Sequence, residues 1–335
     1  MKLRVGVVGL GDAWDGRHRS ALRALSDRFE IRAVCSEVAQ RAEQVGREFN
    51  ADAVDSFRTL AVREDIDAVL ILSLEWYGAL PILAACEAGK AVYLAAPLEI
   101  DPAKARDVKR RVEASGVAFM AEFPRRHSPA TLRLKELIAT RLGPPRLLFC
   151  HQRILVEREN HVRERTRRVP PAMRHLMELV DWCRYVVGDD PTSVVGIRHE
   201  TNGADDYEML SLDFSPAGTT GAGALAQISC GHYMPSSWHE AVSFRPPAAL
   251  QVCCENGIAF VDLPQTLTWF DEAGQHLESL ESERPVGEQL LTHFYRAVTS
   301  LVRKTSDLED AYRALTVALS AQQSCRDGQR HQLDF

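Results

Sequence analysis

The sequence predicts a two-domain α/β protein: an N-terminal Rossmann domain with a doubly wound parallel sheet, then an α/β domain with a large, mostly antiparallel open sheet. Three observations carry this. The apolar run Val5–Val8 ends in Gly9-Leu10-Gly11 and passes into a helical pattern, the strand–turn–helix of a phosphate-binding βα unit. Short apolar runs then alternate with helical stretches up to about residue 124. Beyond it, closely spaced strands with turn residues follow, closed by two helices. The expected division is 1–124 and 125–335.

In the first domain, Leu3–Val8, Ile31–Cys35, Ile66–Leu72, Ala91–Leu94 and Ala118–Glu122 suit strands buried on both faces. Helical patterns cover His18–Leu25, Ala39–Phe49, Ala79–Ala88 and Pro102–Ala114. Gly89 is a C-cap, and Asp101-Pro102 an N-cap with proline at the first helical position. In the second domain, Ser128-Pro129 opens a helix to about Ala139, and Arg146–Gln152 begins a strand. A helix over Pro171–Val187 stops at Gly188-Asp189-Asp190-Pro191. Strands are expected at Ser193–His199, Glu208–Phe214, Gly223–Ser229, Glu240–Phe244, Ala249–Cys254, Ile258–Leu263 and Thr266–Phe270. Turns at Glu255-Asn256-Gly257 and Glu272-Ala273-Gly274 imply antiparallel pairing, and helices over Gly287–Val302 and Leu308–Cys325 close the chain.

Composition narrows the partners. The chain is 45% hydrophobic and 26% charged, and its net charge of −6 gives no reason to expect nucleic acid. No apolar run approaches the ~18 residues of a membrane span. Met1-Lys2 leads directly into a strand, so no leader is expected. Eight cysteines are scattered without a C-x-x-C pair. They read as reduced, mostly buried thiols of a cytoplasmic protein, with no metal site. The later strands are numerous and apolar, with few helices to cover them. A homodimer or homotetramer through that sheet is therefore expected.

The glycine turn makes Gly9, Leu10, Gly11, Asp12, Ala13 and Trp14 candidates for binding a dinucleotide. The third motif position, normally Gly or Ala, is Trp14, and the stretch to His18 is one residue longer than usual. Trp14 is expected to swing outward, with Gly16 at the tight position. The second strand runs into Ser36-Glu37, where an acidic residue normally holds the ribose hydroxyls. Ser36 tolerates a 2′-phosphate and Arg41 is placed to pair with it, while Glu37 repels it. NAD and NADP both stay open, with a slight lean to NADP.

Farther on stands Tyr93-Leu94-Ala95-Ala96-Pro97. With the chain before it, this resembles the Gfo/Idh/MocA family of NAD(P)-dependent oxidoreductases, where the segment reads Glu-Lys-Pro. The resemblance puts Ala96 in place of the family's lysine and Ala95 in place of the glutamate, with Pro97 retained. The family's Thr-Pro-x-x-x-His is Ser73-Leu74-Glu75-Trp76-Tyr77-Gly78 here. That makes Ser73, Leu74 and Trp76 cofactor candidates, with Trp76 and Tyr77 either stacking on a ring or simply packing. The family's Asp-x-Gly-x-His-x-x-Asp helix, anchored on Asp181, aligns Glu178 with the histidine and Arg174 with the upstream aspartate. Arg174 and Glu178 stand four residues apart, as an ion pair or as a substrate-binding and catalytic pair. His175 lies one position round. Ala121–Pro129 matches a segment whose arginine is Arg126, a contact to substrate or a tie between domains.

Seven arginines and three glutamates lie between Arg153 and Arg174, in what the resemblance implies is a lid over the substrate cleft. A solvated loop is the plainer reading. His232, Tyr233, Trp238 and His239 are further cleft candidates. Three functions remain open: an NAD(P)-dependent oxidoreductase of a sugar-like or anionic small molecule with weak or altered chemistry, a non-catalytic nucleotide- or ligand-binding protein, and an assembly partner.

Overall fold

A computed structural model gives the fold. It describes residues 2–74, 77–95, 98, 101–156, 171–201, 204–216, 218–219, 221–235, 238, 240, 244, 247–281, 284–300 and 306–335.

The first compact unit comprises Met1–Pro124 and Arg284–Leu315. Its sheet holds β1 (Leu3–Val8), β2 (Phe29–Cys35), β3 (Asp52–Ala53), β4 (Ala68–Ile71), β5 (Ala91–Leu94) and β6 (Phe119–Ala121). The strands run parallel in the order β3-β2-β1-β4-β5-β6. This is the Rossmann order, and its direction of winding reverses between β1 and β4, the point at which such sheets bind ligands. Every residue of β4 and β5 is buried, as near-continuous apolar runs require. Helices α1 (Arg19–Ala24), α2 (Ala39–Phe49), α3 (Phe57–Ala61), α4 (Leu80–Glu87) and α5 (Pro102–Ser115) connect the strands. Asp101 caps α5 by accepting from the N–H groups of Ala103 at 3.0 Å and Lys104 at 3.2 Å.

The second unit comprises Arg125–Glu283 and Thr316–Phe335. It holds α6 (Pro129–Leu137), β7 (Pro145–Val156), α7 (Pro171–Val187), β8 (Ser193–Thr201), β9 (Ala204–Asp213) and β10 (Leu225–Pro235). Then come β11 (Leu250–Cys254), β12 (Ile258–Asp262), β13 (Thr266–Asp271), β14 (Gly274–Ser279) and β15 (His331–Gln332). The sheet order is β14-β13-β12-β11-β7-β10-β9-β8-β15, with only β7 and β10 parallel among the described pairings. Register sets the faces. Leu148, Ala226, Leu212 and Val194 form one buried row, while Phe149, Gln227, Ser211 and Val195 form a row on the opposite face.

Several expectations differ in detail. The strand expected at Glu240–Phe244 falls mostly outside the described residues. The segment Arg284–Leu315, expected in the second domain, packs into the first unit. There Leu290, Leu291 and Phe294 of α8 (Val286–Thr299) are fully buried in the Rossmann core. A side chain at Gly287 would put its Cβ 2.9 Å from the Arg17 carbonyl oxygen, so glycine permits this approach. The last helix, α9, spans Ser306–Asp327.

Candidate functional site

At the end of β1 the chain reverses through Gly9, whose φ of 79° suits glycine. Its N–H donates to the Cys35 carbonyl at 2.9 Å, tying the turn to the end of β2. An added Cβ at Gly9 would lie 2.7 Å from the Ser73 carbonyl oxygen, and one at Gly11 would lie 3.2 Å from the Ser73 Cβ. Ser73 is thus the floor on which the turn rests. Leu10, Ala13 and Trp14 are buried in the core, and Asp12 is exposed. For the three buried residues, only the backbone is available to a pyrophosphate.

The expected outward swing of Trp14 is not observed. Trp14 is 1% exposed and packs edge-on against Phe49 at 5.6 Å, while a Cβ on Gly16 would meet nothing within 4 Å. The extra residue is absorbed by a π turn over Trp14–His18, with the Arg19 N–H donating to the Trp14 carbonyl five residues back. A π turn is a one-residue insertion in an α-helix. It lets the turn begin normally and still bury Trp14.

At the end of β2, Ser36 is nearly buried, and its Oγ lies 3.4 Å from both the Val38 nitrogen and Glu37 Oε2. Arg41 forms an exposed ion pair with Asp15 of the π turn. Leu74 is buried. Tyr77 packs edge-on against Phe57 at 5.1 Å, and its hydroxyl lies 4.0 Å from Cys35 Sγ. Burial pushes the Tyr77 phenol up to about 12. Ala95 is buried at the end of β5. Trp76, Ala96 and Pro97 lie outside the described residues.

The sequence reading missed a buried network beside this turn. His18 Nε2 donates to Glu122 Oε2 at 2.8 Å, Tyr93 Oη donates to the same oxygen at 3.1 Å, and Arg17 pairs with Oε1. His18 is fully buried, and its ring meets Tyr93 edge-on at 5.3 Å. Glu122 thereby holds the π turn to the end of β6.

The second unit gathers a different set. Arg125 and Arg126 stand on a 3-10 turn, Pro124–His127. Arg126 forms a bidentate pair with Asp181 of α7, whose side chain is 2% exposed. Both partners belong to this unit, so Arg126 fastens the turn to α7. Glu178 lies between two guanidinium groups, with Arg174 Nε 3.5 Å from Oε1 and Arg125 Nε 3.9 Å from Oε2. Arg125 also donates to Gln152 Oε1 of β7 at 2.6 Å, and Gln152 Nε2 lies 3.0 Å from His175 Nδ1. A guanidinium only donates, so Gln152 offers its oxygen to Arg125 and its NH2 to His175. Nδ1 of His175 therefore accepts, and the neutral ring carries its proton on Nε2. Arg174 and Glu178, expected on one helix face, and His175, expected on another, thus join one cluster with Arg125 and Gln152, which the sequence reading did not select. Beneath it the Cys183 thiol is pushed up by its hydrogen bond with Cys150 and by burial, and burial pushes Cys230 up to about 12.

His232 and Tyr233 continue the backbone of β10, with a register shift between His232 and Met234, and their side chains lie outside the described residues. Most of the arginine-rich segment, 157–170, and His239 also lie outside them. Among the described residues, no group of three or more His, Cys, Asp or Glu side chains is placed to hold a metal ion. Among the same residues, no helix is long and apolar enough to cross a membrane.

Residues 3–123 match the sequence profile of the Gfo/Idh/MocA oxidoreductase family, NAD-binding Rossmann fold. The chain is 31% identical over 203 residues to inositol 2-dehydrogenase 3 of Saccharopolyspora erythraea, covering 59% of this chain and 57% of that protein. It is 29% identical over 224 residues to inositol 2-dehydrogenase of Cereibacter sphaeroides, covering 64% of each. The match thus spans less than two thirds of these relatives. In fold it is similar to levoglucosan dehydrogenase, solved in complex with NADH and levoglucosan, with a TM-score of 0.84 at 15% identity over 99% of each chain. The winding order, the glycine turn and these matches agree: residues 3–123 are similar in sequence and topology to the NAD-binding Rossmann domain of the Gfo/Idh/MocA oxidoreductase family.

Proposed function

We propose that the chain is a nicotinamide-dependent oxidoreductase acting slowly on a sugar-like small molecule that carries an anionic group. The observation that carries this is the glycine turn resting on Ser73 at the β1/β4 switch point, in a chain similar to inositol dehydrogenases. The turn fits a dinucleotide: a β-carbon at Gly9 or Gly11 would press on Ser73, and helical residues follow directly from residue 12. When bound, the nicotinamide supplies or accepts the hydride.

This chain's own residues do the rest. The backbone of Gly9–Trp14 holds the pyrophosphate, with Ser73 beneath. Ala95, at the end of β5, borders the nicotinamide. In the second unit, Arg125 and Arg174 attract an anionic substrate group, and Glu178 keeps the two guanidinium groups in place. The His175 Nε2–H donates to a substrate oxygen. A methyl group at Ala96 offers no proton, and acid–base groups contribute about 10²–10⁴-fold where present. Slow turnover follows.

The reading extends to assembly. Leu147, Phe149, Leu225, Met209 and Ile197 share the open face of the second sheet and stay exposed. A depression of about 310 Å³ lies among the first three of these. A second copy of the chain covers this face, and light scattering at micromolar concentration should return a dimer or tetramer.

The test of function is steady-state oxidation of neutral polyols and the corresponding sugar acids with NAD. The expected result is measurable turnover with kcat/KM at least about tenfold higher for the acids. Robust turnover of inositol with no preference for acids would contradict the reading.

A further inference from the structure

We propose that Asp15 and Glu37 make this chain selective for NAD(H) over NADP(H), with Asp15 acting by occupying Arg41. The inference rests on the reading that the glycine turn holds a nicotinamide dinucleotide, and it reverses the lean that Ser36 and Arg41 suggest in the sequence.

The ribose end of the site lies where β2 ends, because the Gly9 N–H is bonded to the Cys35 carbonyl there. A 2′-phosphate arriving at that point meets carboxylates. Glu37 follows Ser36 and lies 3.4 Å from its hydroxyl, so a hydroxyl and a carboxylate stand together at the end of β2. Burial pushes the Cys35 thiol up, and the charges of Asp55 and Glu37 push it in the same direction. The charge at the end of β2 is therefore negative. Each carboxylate within about 4 Å of a phosphate charge weakens binding about fivefold even at the dielectric of water.

A cation placed for a 2′-phosphate is Arg41 on the first turn of α2, and it is paired with Asp15 of the π turn. The π turn places Asp15 there. It inserts one residue between Gly11 and α1 and turns Trp14 inward. Asp15 itself stays exposed beside Arg41. A 2′-phosphate must displace one carboxylate and approach a second. A 2′-hydroxyl displaces nothing and gains Glu37 as an acceptor.

The test is equilibrium binding of NADH and NADPH, read by the change in nicotinamide fluorescence, on the wild type and on Asp15→Asn, Arg41→Ala and the double variant. The wild type should bind NADH at least about tenfold more tightly than NADPH. Asp15→Asn should cut that ratio about threefold by releasing Arg41 from an exposed pair, and adding Arg41→Ala should cancel the gain. Arg41→Ala alone should leave the ratio within about twofold. NADH binding with equal NADPH affinity in the wild type overturns the inference, as does an unchanged ratio in a folded Asp15→Asn. Failure of the wild type to bind either nucleotide overturns the dinucleotide reading and the inference together.

Discussion

Around Glu122 in the first unit, a carboxylate with a 2% exposed side chain is held by Arg17, His18 and Tyr93. Around Glu178 in the second unit, a carboxylate lies between Arg125 and Arg174 and keeps 19% of its side chain exposed. The parts are similar, and solvent access separates their roles. A sealed carboxylate has traded water for fixed partners and cannot give them up cheaply. One that stays open can exchange a guanidinium contact for a ligand at little cost. The first cluster should govern folding and the second should govern binding.

Replacing Glu122 tests the first half most severely. Glu122→Leu leaves His18 and the Tyr93 hydroxyl buried without their shared acceptor and Arg17 without its carboxylate. We expect a loss of about 3–5 kcal/mol in urea unfolding, the cost of removing one partner from a buried ionic cluster. A loss below about 1 kcal/mol would show that the network is dispensable.

In the second unit, Gln152→Leu removes the amide between Arg125 and His175. Catalytic efficiency toward an anionic substrate should fall about tenfold, on the scale of one charge-assisted hydrogen bond. Stability should change by less than about 1 kcal/mol, since water reaches the released groups. If the variant unfolds readily instead, the contrast between sealed and open clusters fails.

A smaller effect should come from His151, on the open face of the second sheet. Its Nδ1 lies 2.7 Å from Ser229 Oγ and 3.5 Å from Tyr207 Oη. Burial, helped by Arg153, holds its pKa below the ordinary 6.5. Below about pH 6.5 the unfolded chain binds a proton that the folded chain refuses. This part of the stability is therefore complete above about pH 6.5 and drains away as the pH falls toward the folded value. His151→Gln should flatten the slope of stability between about pH 7 and 5 by a fraction of a proton. An unchanged slope would show that His151 is as free to charge when folded as when unfolded.

What the sequence made legible divides along the same line. The βα alternation, the Gly9–Gly11 turn and the Asp101 cap are local patterns, in which neighbours in sequence fix each other's backbone. The structure follows them closely. The π turn was half legible: the surplus residue before His18 showed in the spacing, and its burial of Trp14 did not. Phe49, the partner that draws the indole inward, lies a strand and a helix away. The clusters were the least legible. Glu122 meets His18 across 104 residues, and Arg125 meets Gln152 across 27. A resemblance can line up Glu178 and Arg174 with a motif. The guanidinium and amide that complete their site come from other elements, which tertiary packing alone brings together. A signal for Arg125 was present in the Arg125-Arg126 pair, where only Arg126 was singled out.

The central claim is that the glycine turn on Ser73 holds a nicotinamide dinucleotide, and Gly11→Val tests it most directly. The new side chain stands at the turn with its Cβ 3.2 Å from the Ser73 Cβ, a contact that a shift of a few tenths of an ångström relieves. NADH titrated calorimetrically into the wild type should bind saturably at one site per chain. In Gly11→Val, with its melting temperature within a few degrees of wild type, affinity should fall at least about thirtyfold. Equal NADH affinity in the two proteins, or no binding to the wild type, would contradict the account.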